Sequence, residues 1–208
     1  SPSLLEVLRG EVPAQSALRQ LRPGISLLPA TLSLGEFEEE ATVALEPERA
    51  LGHALRPLAS SFDYVVIDCP PRADGVLTAN AVRAANQVLL IVETGAFALQ
   101  GAVRAFEIFS GMLESEGSST PIQVLATMFD RRTRFARDVL IGMHARFGER
   151  MYDTAIRSSV KLREAVASGV PLQWTSPRAR ASSDFAALAS EVRNTMSPSQ
   201  IASTFLEL

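Results

Sequence analysis

The sequence predicts an α/β fold, a mostly parallel sheet flanked by helices, and three observations carry that expectation. Tyr64–Ile67, Gln87–Val92 and Ile122–Met128 are near-continuously apolar, without the polar alternation of strands that face water. Segments with apolar residues three and four apart lie between them, and such alternation of strand and helix marks right-handed crossovers in a parallel sheet. At 208 residues and 47% hydrophobic content, the chain can bury one substantial core, so residues 1–208 are expected to form a single domain.

The elements follow in order. Residues 3–8 suit a short helix and Gly24–Ala30 (GISLLPA) a strand, while Glu36–Glu40 is an acidic run expected on a solvated helix face. Leu51, Leu55 and Leu58 give 48–60 a helical spacing that feeds the strand Tyr64–Ile67. Beyond Pro70 and Pro71, 78–85 is helix-like, 87–92 is a strand, and 98–113 is an amphipathic helix with Val103, Phe106 and Phe109 at core spacing. A strand at 122–128, a helix at 135–147, a short strand at 152–156 and helices at 161–167 and 183–194 complete the pattern, with 197–208 as a last helix or loose tail.

Composition excludes several classes. No apolar stretch approaches the ~20 residues that span a bilayer, and the N-terminus lacks a basic region followed by an apolar run. The single cysteine, Cys69, forms no internal disulfide and offers no metal cluster, which suits a reducing cytoplasm; following an apolar strand, it is expected to be a packed thiol. His53 and His144 stand without metal-ligand neighbours, and the sequence holds neither a GxSxG elbow nor a metalloprotease pair. The net charge of −3 is unevenly distributed: Arg131–Arg180 holds 11 Lys or Arg against 4 Asp or Glu, a balance of +7, which leaves −10 elsewhere.

The run FDYVVIDCPP (Phe62–Pro71) concentrates the chemistry. An apolar strand, expected to be buried on both faces, delivers one carboxylate, Asp68, to its carboxyl end, where open α/β sheets bind ligands, and two prolines stiffen the exit. A carboxylate so placed suits a hydrated magnesium ion over nucleotide phosphates. The same residue type also simply ends strands.

Taken in order, FDYVVIDCPPRADGVLTANAVRAANQVLLIVE, FALQG, VLATMFDRRTR, RSSVKLREAVASGVPLQW and SPRARASSDFAALASEV resemble the ParA/Soj group of deviant Walker ATPases, relatives of MinD in the P-loop NTPase class. The opening LLEVLRGE and GISLLPATLSL extend the resemblance over nearly the whole chain. One part is missing. The family begins with a strand and a KGGxGKT-type loop, whereas this sequence has no such loop and its one lysine is Lys161. A sheet without that middle strand would carry two unpaired edges, so the expectation is an N-terminally incomplete chain or a rearranged, strand-swapped assembly.

The resemblance implies roles residue by residue. Asp68 stands at the Walker B position, implying Mg held through water, and Pro70, Pro71 and Asp74 lie in the loop that senses the γ-phosphate, with Arg72 where the family commonly has serine. Thr127, Met128 and Asp130 stand where the family approaches the adenine base of ATP or ADP, as does Arg157, which replaces a usual proline; Ser159 replaces a usual asparagine. Lys161, Arg163, Arg178 and Arg180 resemble positions that bind nonspecific DNA. The implied function is ATP-dependent chromosome or plasmid partitioning by a nucleotide-switched homodimer, cytoplasmic and nucleoid-associated, stimulated by a ParB-type centromere-binding protein. The alternative is a nonenzymatic module of the same scaffold that has lost nucleotide hydrolysis. A membrane role is disfavoured, since 197–208 has no basic residue for anionic lipid.

Overall fold

The computed structural model describes residues 2–41, 46–95 and 97–196, so the expected tail helix lies outside the described residues. The chain divides into two units, one containing residues 1–86 and 112–118, the other Gln87–Gly111 and Ser119–Ser197.

The first unit opens with a capped helix, α1 (Leu4–Leu8). Ser3 and Glu6 form a reciprocal capping box, in which the Ser3 amide and hydroxyl both donate to the Glu6 carboxylate at 2.7 Å and hold it below the ordinary glutamate range. Helix α2 (Ala14–Ala17) leads into an antiparallel hairpin, β1 (Arg19–Arg22) and β2 (Ile25–Leu27), that turns at Gly24 with φ of +77° and is exposed along both strands. Helix α3 (Gly35–Glu40) buries Phe37, while Glu36 and Glu40 of its acidic run both pair with Arg9. Helices α4 (Ala50–Leu55) and α5 (Val76–Ala84) complete the core around Leu5, Val7, Leu8, Leu51, Leu55 and Leu58. Asn80 is buried there because each polar end has a partner: it accepts from the Leu51 amide at 2.9 Å and donates to the carbonyls of Pro47 and Val76.

The strand expected at Tyr64–Ile67 does not form. The segment makes no ladder hydrogen bond among the described residues, Tyr64 and Val65 are exposed, and Val66 is 92% exposed. The expectation of burial on both faces is therefore corrected. β-propensity records fit to a pleated, covered surface, and among the described residues no neighbouring strand supplies it: only Ile67 packs on the core of the first unit, while Tyr64, Val65 and Val66 stay exposed. Cys69, expected to be a packed thiol, is likewise exposed; its surroundings and then Asp68 push its pKa above the ordinary value.

The second unit realises the expected parallel sheet. β3 (Val88–Glu93) pairs in parallel with β4 (Ile122–Thr127), and helix α6 (Ala98–Glu114) is the crossover between them. The segment 151–157 lies along the other edge of β4, with Tyr152 and Ile156 amides donating to Val124 and Ala126 carbonyls at 3.0 and 2.9 Å. Alternation decides what covers each face. Leu90, Val92, Val124 and Ala126 pack against α6 and α7 (Arg134–Phe147), through Met143 and Phe147. Leu89 and Leu125 pack instead toward α8 (Val160–Ser168) and α10 (Arg180–Thr195), through Leu162, Phe185 and Leu188. The short helix α9 (Leu172–Thr175) joins α8 and the start of α10 around Ala165, Leu172 and Ala181. Helices thus pack on both faces of the sheet, closely over β4 and less completely over β3, where Ile91 is 59% exposed, and strands with helices on both sides read as unbroken apolar runs.

Candidate nucleotide and nucleic-acid sites

The carboxyl rim of β3 and β4 is built from short, hydrogen-bonded exits. The Thr94 amide donates to the Thr127 carbonyl at 3.1 Å and its hydroxyl to the Met128 carbonyl at 3.4 Å, tying the two strand ends together. Phe129 and the 156–158 segment are joined by two further backbone bonds, Phe129 to Ile156 at 3.1 Å and Ser158 to Phe129 at 3.0 Å. Met128 is held in the left-handed region with φ of +53°, and Phe97, after β3, has φ of +66°. Non-glycine residues in that region store backbone strain, which concentrates at ligand-binding loops.

Among the expected nucleotide contacts, Thr127, Met128 and Asp130 come together with the Arg157 backbone at this rim. Asp130 is not a bare carboxylate: Arg132 donates to it through Nε at 2.9 Å, Nη2 at 2.7 Å and its amide at 3.0 Å, holding its pKa down at about 2. Arg157 spends its donors elsewhere. Its amide and Nε reach the buried Asp184 at 2.9–3.1 Å, Nη2 also pairs with that carboxylate, and Nη2 donates to the Arg180 carbonyl at 3.2 Å.

Asp68, Pro70, Pro71, Arg72 and Asp74 lie in the first unit, on the irregular stretch leading to α5. Asp68 is exposed and makes no hydrogen bond or ion pair among the described residues; Arg72 pairs with Asp74 at 3.5 Å, and the Arg72 carbonyl accepts from the Thr78 hydroxyl at 2.5 Å. An unpartnered carboxylate with solvent on it suits a hydrated magnesium ion, a hard cation that keeps most of its waters. The described residues contain no cluster of three or more His, Cys, Asp or Glu that could hold a metal by itself.

The basic residues expected to meet DNA cluster on α8, the α9–α10 turn and the start of α10. Lys161 pairs with Glu164 at 2.8 Å, whereas Arg163, Arg178 and Arg180 are exposed and have no carboxylate partner among the described residues. Sequence reasoning missed two carboxylates of α10. Glu191 accepts from the Asp153 amide at 2.9 Å and the Thr154 amide at 3.0 Å, and Asp184 accepts from the Arg157 amide, so helix side chains satisfy the outer edge of the 151–157 segment. Their seven-residue spacing is visible in the sequence, but the groups they serve are not.

A family model described as an AAA domain (AAA_31) matches residues 1–118. Over 194 residues the chain is 32% identical to the chromosome partitioning protein ParA of Caulobacter vibrioides, covering 91% of this chain and 72% of that protein. The chain belongs to the ParA/Soj family. A second ParA/Soj relative, the sporulation initiation inhibitor protein Soj of Bacillus subtilis, is 32% identical over 169 residues, 81% of this chain and 66% of that one. Among solved structures, cobyrinic acid a,c-diamide synthase from Mycobacterium smegmatis, with bound ADP and magnesium, matches at a TM-score of 0.69 and 29% identity, covering 85% of this chain and 74% of that one. Apo McdA of Cyanothece matches at a TM-score of 0.83 and 20% identity, covering 92% and 78%, a likeness of fold. The α/β architecture with its parallel, helix-flanked sheet is that of ParA/MinD-type P-loop NTPases, and no helix among the described residues is long and apolar enough to cross a membrane.

Proposed function

We propose that this ParA/Soj member acts in chromosome or plasmid partitioning as a nucleotide-switched, DNA-binding homodimer. The observation that carries the reading is the 32% identity with the Caulobacter partitioning protein across 91% of the chain. In this reading 1–208 is one ParA-like domain of a cytoplasmic, nucleoid-associated protein. Asp68 holds magnesium through water, and the metal neutralises phosphate charge on ATP or ADP. Pro70 and Pro71 stiffen the loop beyond it, while Thr127, Met128, Asp130 and the backbone at Arg157 form the base-facing rim. The unpaired Arg163, Arg178 and Arg180, with Lys161, meet DNA phosphates without reading bases. A ParB-type centromere-binding protein is the partner that stimulates turnover.

Support for the nucleotide comes from the chemistry of Asp68 and from relatives of this fold solved with ADP, ATP analogues and magnesium. The test is the natural full-length protein, titrated with ATP and magnesium and assayed for turnover. Asp68→Ala is expected to abolish magnesium-dependent turnover, and unchanged turnover removes Asp68 from the mechanism. The second reading, a nonenzymatic module, is favoured by the commitment of the Arg157 guanidinium to Asp184. Micromolar ATP affinity defeats the module; no binding by folded full-length protein defeats the switch.

A further inference from the structure

Two carboxylates of α10 tie that helix to the segment 151–157, and they do so in different places. Glu191 takes the Asp153 and Thr154 amides, whereas Asp184, one turn into the helix, takes Arg157 beside the rim. Arg157 gives that carboxylate its amide, at 3.1 Å, and the planar fork of its guanidinium, with Nε at 2.9 Å from one oxygen and Nη2 on the other. Asp184 is buried, and a buried carboxylate is costly unless donors surround it. Phe185 and Leu188 press the same helix onto the sheet, but apolar contact has no direction, so the hydrogen-bonded pair sets where the helix begins.

The pair joins two surfaces that the switch reading gives to different ligands. On one side the Arg157 backbone lies against the rim: Phe129, between Met128 and Asp130, donates to the Ile156 carbonyl and accepts from the Ser158 amide. On the other side Nη2 donates at 3.2 Å to the carbonyl of Arg180, the first residue of α10. The turn before that residue is closed by the Ala179 amide and the Ser182 hydroxyl, which donate to the Ser176 carbonyl at 2.9 and 2.7 Å, and Arg178 lies inside it. One side chain thus reaches from the base-facing rim to the turn that carries two exposed cations. Resting on the nucleotide and DNA readings above, we propose that Arg157 is a positioning residue that couples the two ligands: through Asp184 and the Arg180 carbonyl it makes the rim and the Arg178–Arg180 turn move together. A ligand that orders a shared element spares the second ligand that cost, so each tightens the other by the same factor.

The test measures that factor. Random-sequence duplex and ATP with magnesium are titrated into the natural full-length protein, each with and without the other, and circular dichroism checks that every variant is folded. The wild type is expected to bind duplex about fivefold or more tighter when ATP is present, and ATP tighter by the same factor when duplex is present. Asp184→Asn keeps an oxygen for the Arg157 amide but loses the ion pair. It should bring the factor down toward one while each ligand, offered alone, binds as it does to the wild type. Glu191→Gln loosens the same helix away from the rim and should leave the factor unchanged. Amide hydrogen exchange supplies a readout that needs no variant: ATP with magnesium, without DNA, should slow exchange at residues 178–183. A factor undiminished in Asp184→Asn, an equal fall in Glu191→Gln, or exchange at 178–183 indifferent to ATP overturns the proposal and leaves both binding readings standing. A wild type that binds both ligands with a factor of one overturns the proposal and the switch together, and one that binds no ATP or no duplex defeats the reading beneath them.

Discussion

Three apolar runs in this chain look alike in sequence and meet opposite fates. Val88–Val92 and Ile122–Ala126 lie in a ladder with helices on both faces, and Val124 is fully buried; Tyr64, Val65 and Val66 are exposed, Val66 almost wholly, and only Ile67 of that run packs on the core of its unit. The difference lies in what surrounds each run. A strand's side chains point to two sides, so an unbroken apolar run is stable only where both sides and at least one edge find partners. The edge of 151–157 shows a third arrangement, in which Asp184 and Glu191 stand in for a neighbouring strand by accepting its outward amides. No described group does the same for Tyr64–Ile67.

The comparison can be broken most forcefully by truncation. Leu125→Ala should cost about 2–5 kcal/mol in urea unfolding, because the cavity opens between sheet and helices; Val66→Ala should fall within about 0.5 kcal/mol. A large loss at Val66 would mean that the bare run is covered in solution. The edge arrangement predicts a smaller effect. Asp184→Ala leaves the Arg157 amide and guanidinium without their acceptor and should cost about 1–3 kcal/mol, part of which Arg157→Met should restore in the double variant. An additive double variant would show that the two do not act as a pair.

The smallest expected effect is at the rim. The Asp130 pKa is lowered to about 2 by Arg132, so its contribution is present above the ordinary carboxylate range and is lost as pH falls through about 2. A carboxyl titration followed by NMR should place the Asp130 midpoint near 2, and Arg132→Ala should move it back up toward the ordinary range. Both groups face solvent, so unfolding midpoints above pH 5 should be unaffected.

Much of the fold was legible. The helix expected at 98–113 is α6, that at 135–147 is α7, and the strands at 87–92 and 122–128 are β3 and β4, each within a residue or two. Periodicity sufficed there because every one of these elements finds a covering partner. The site was less legible. Thr127, Met128 and Asp130 share a rim as the strand end implied, but the sequence could not show that Arg132 holds Asp130 or that Asp184 takes the Arg157 guanidinium, because such pairs join side chains whose separation only folding sets.

By itself the sequence determined which stretches are apolar, where the longer helices lie, which family the motifs resemble and where cations concentrate, since these depend on local propensity and composition. The tertiary structure alone decided which apolar run becomes a strand, which carboxylate is already spent on a neighbouring arginine, and which cations remain free for a ligand. Pairing and burial depend on groups far apart along the chain, and a residue's chemistry is fixed by what reaches it.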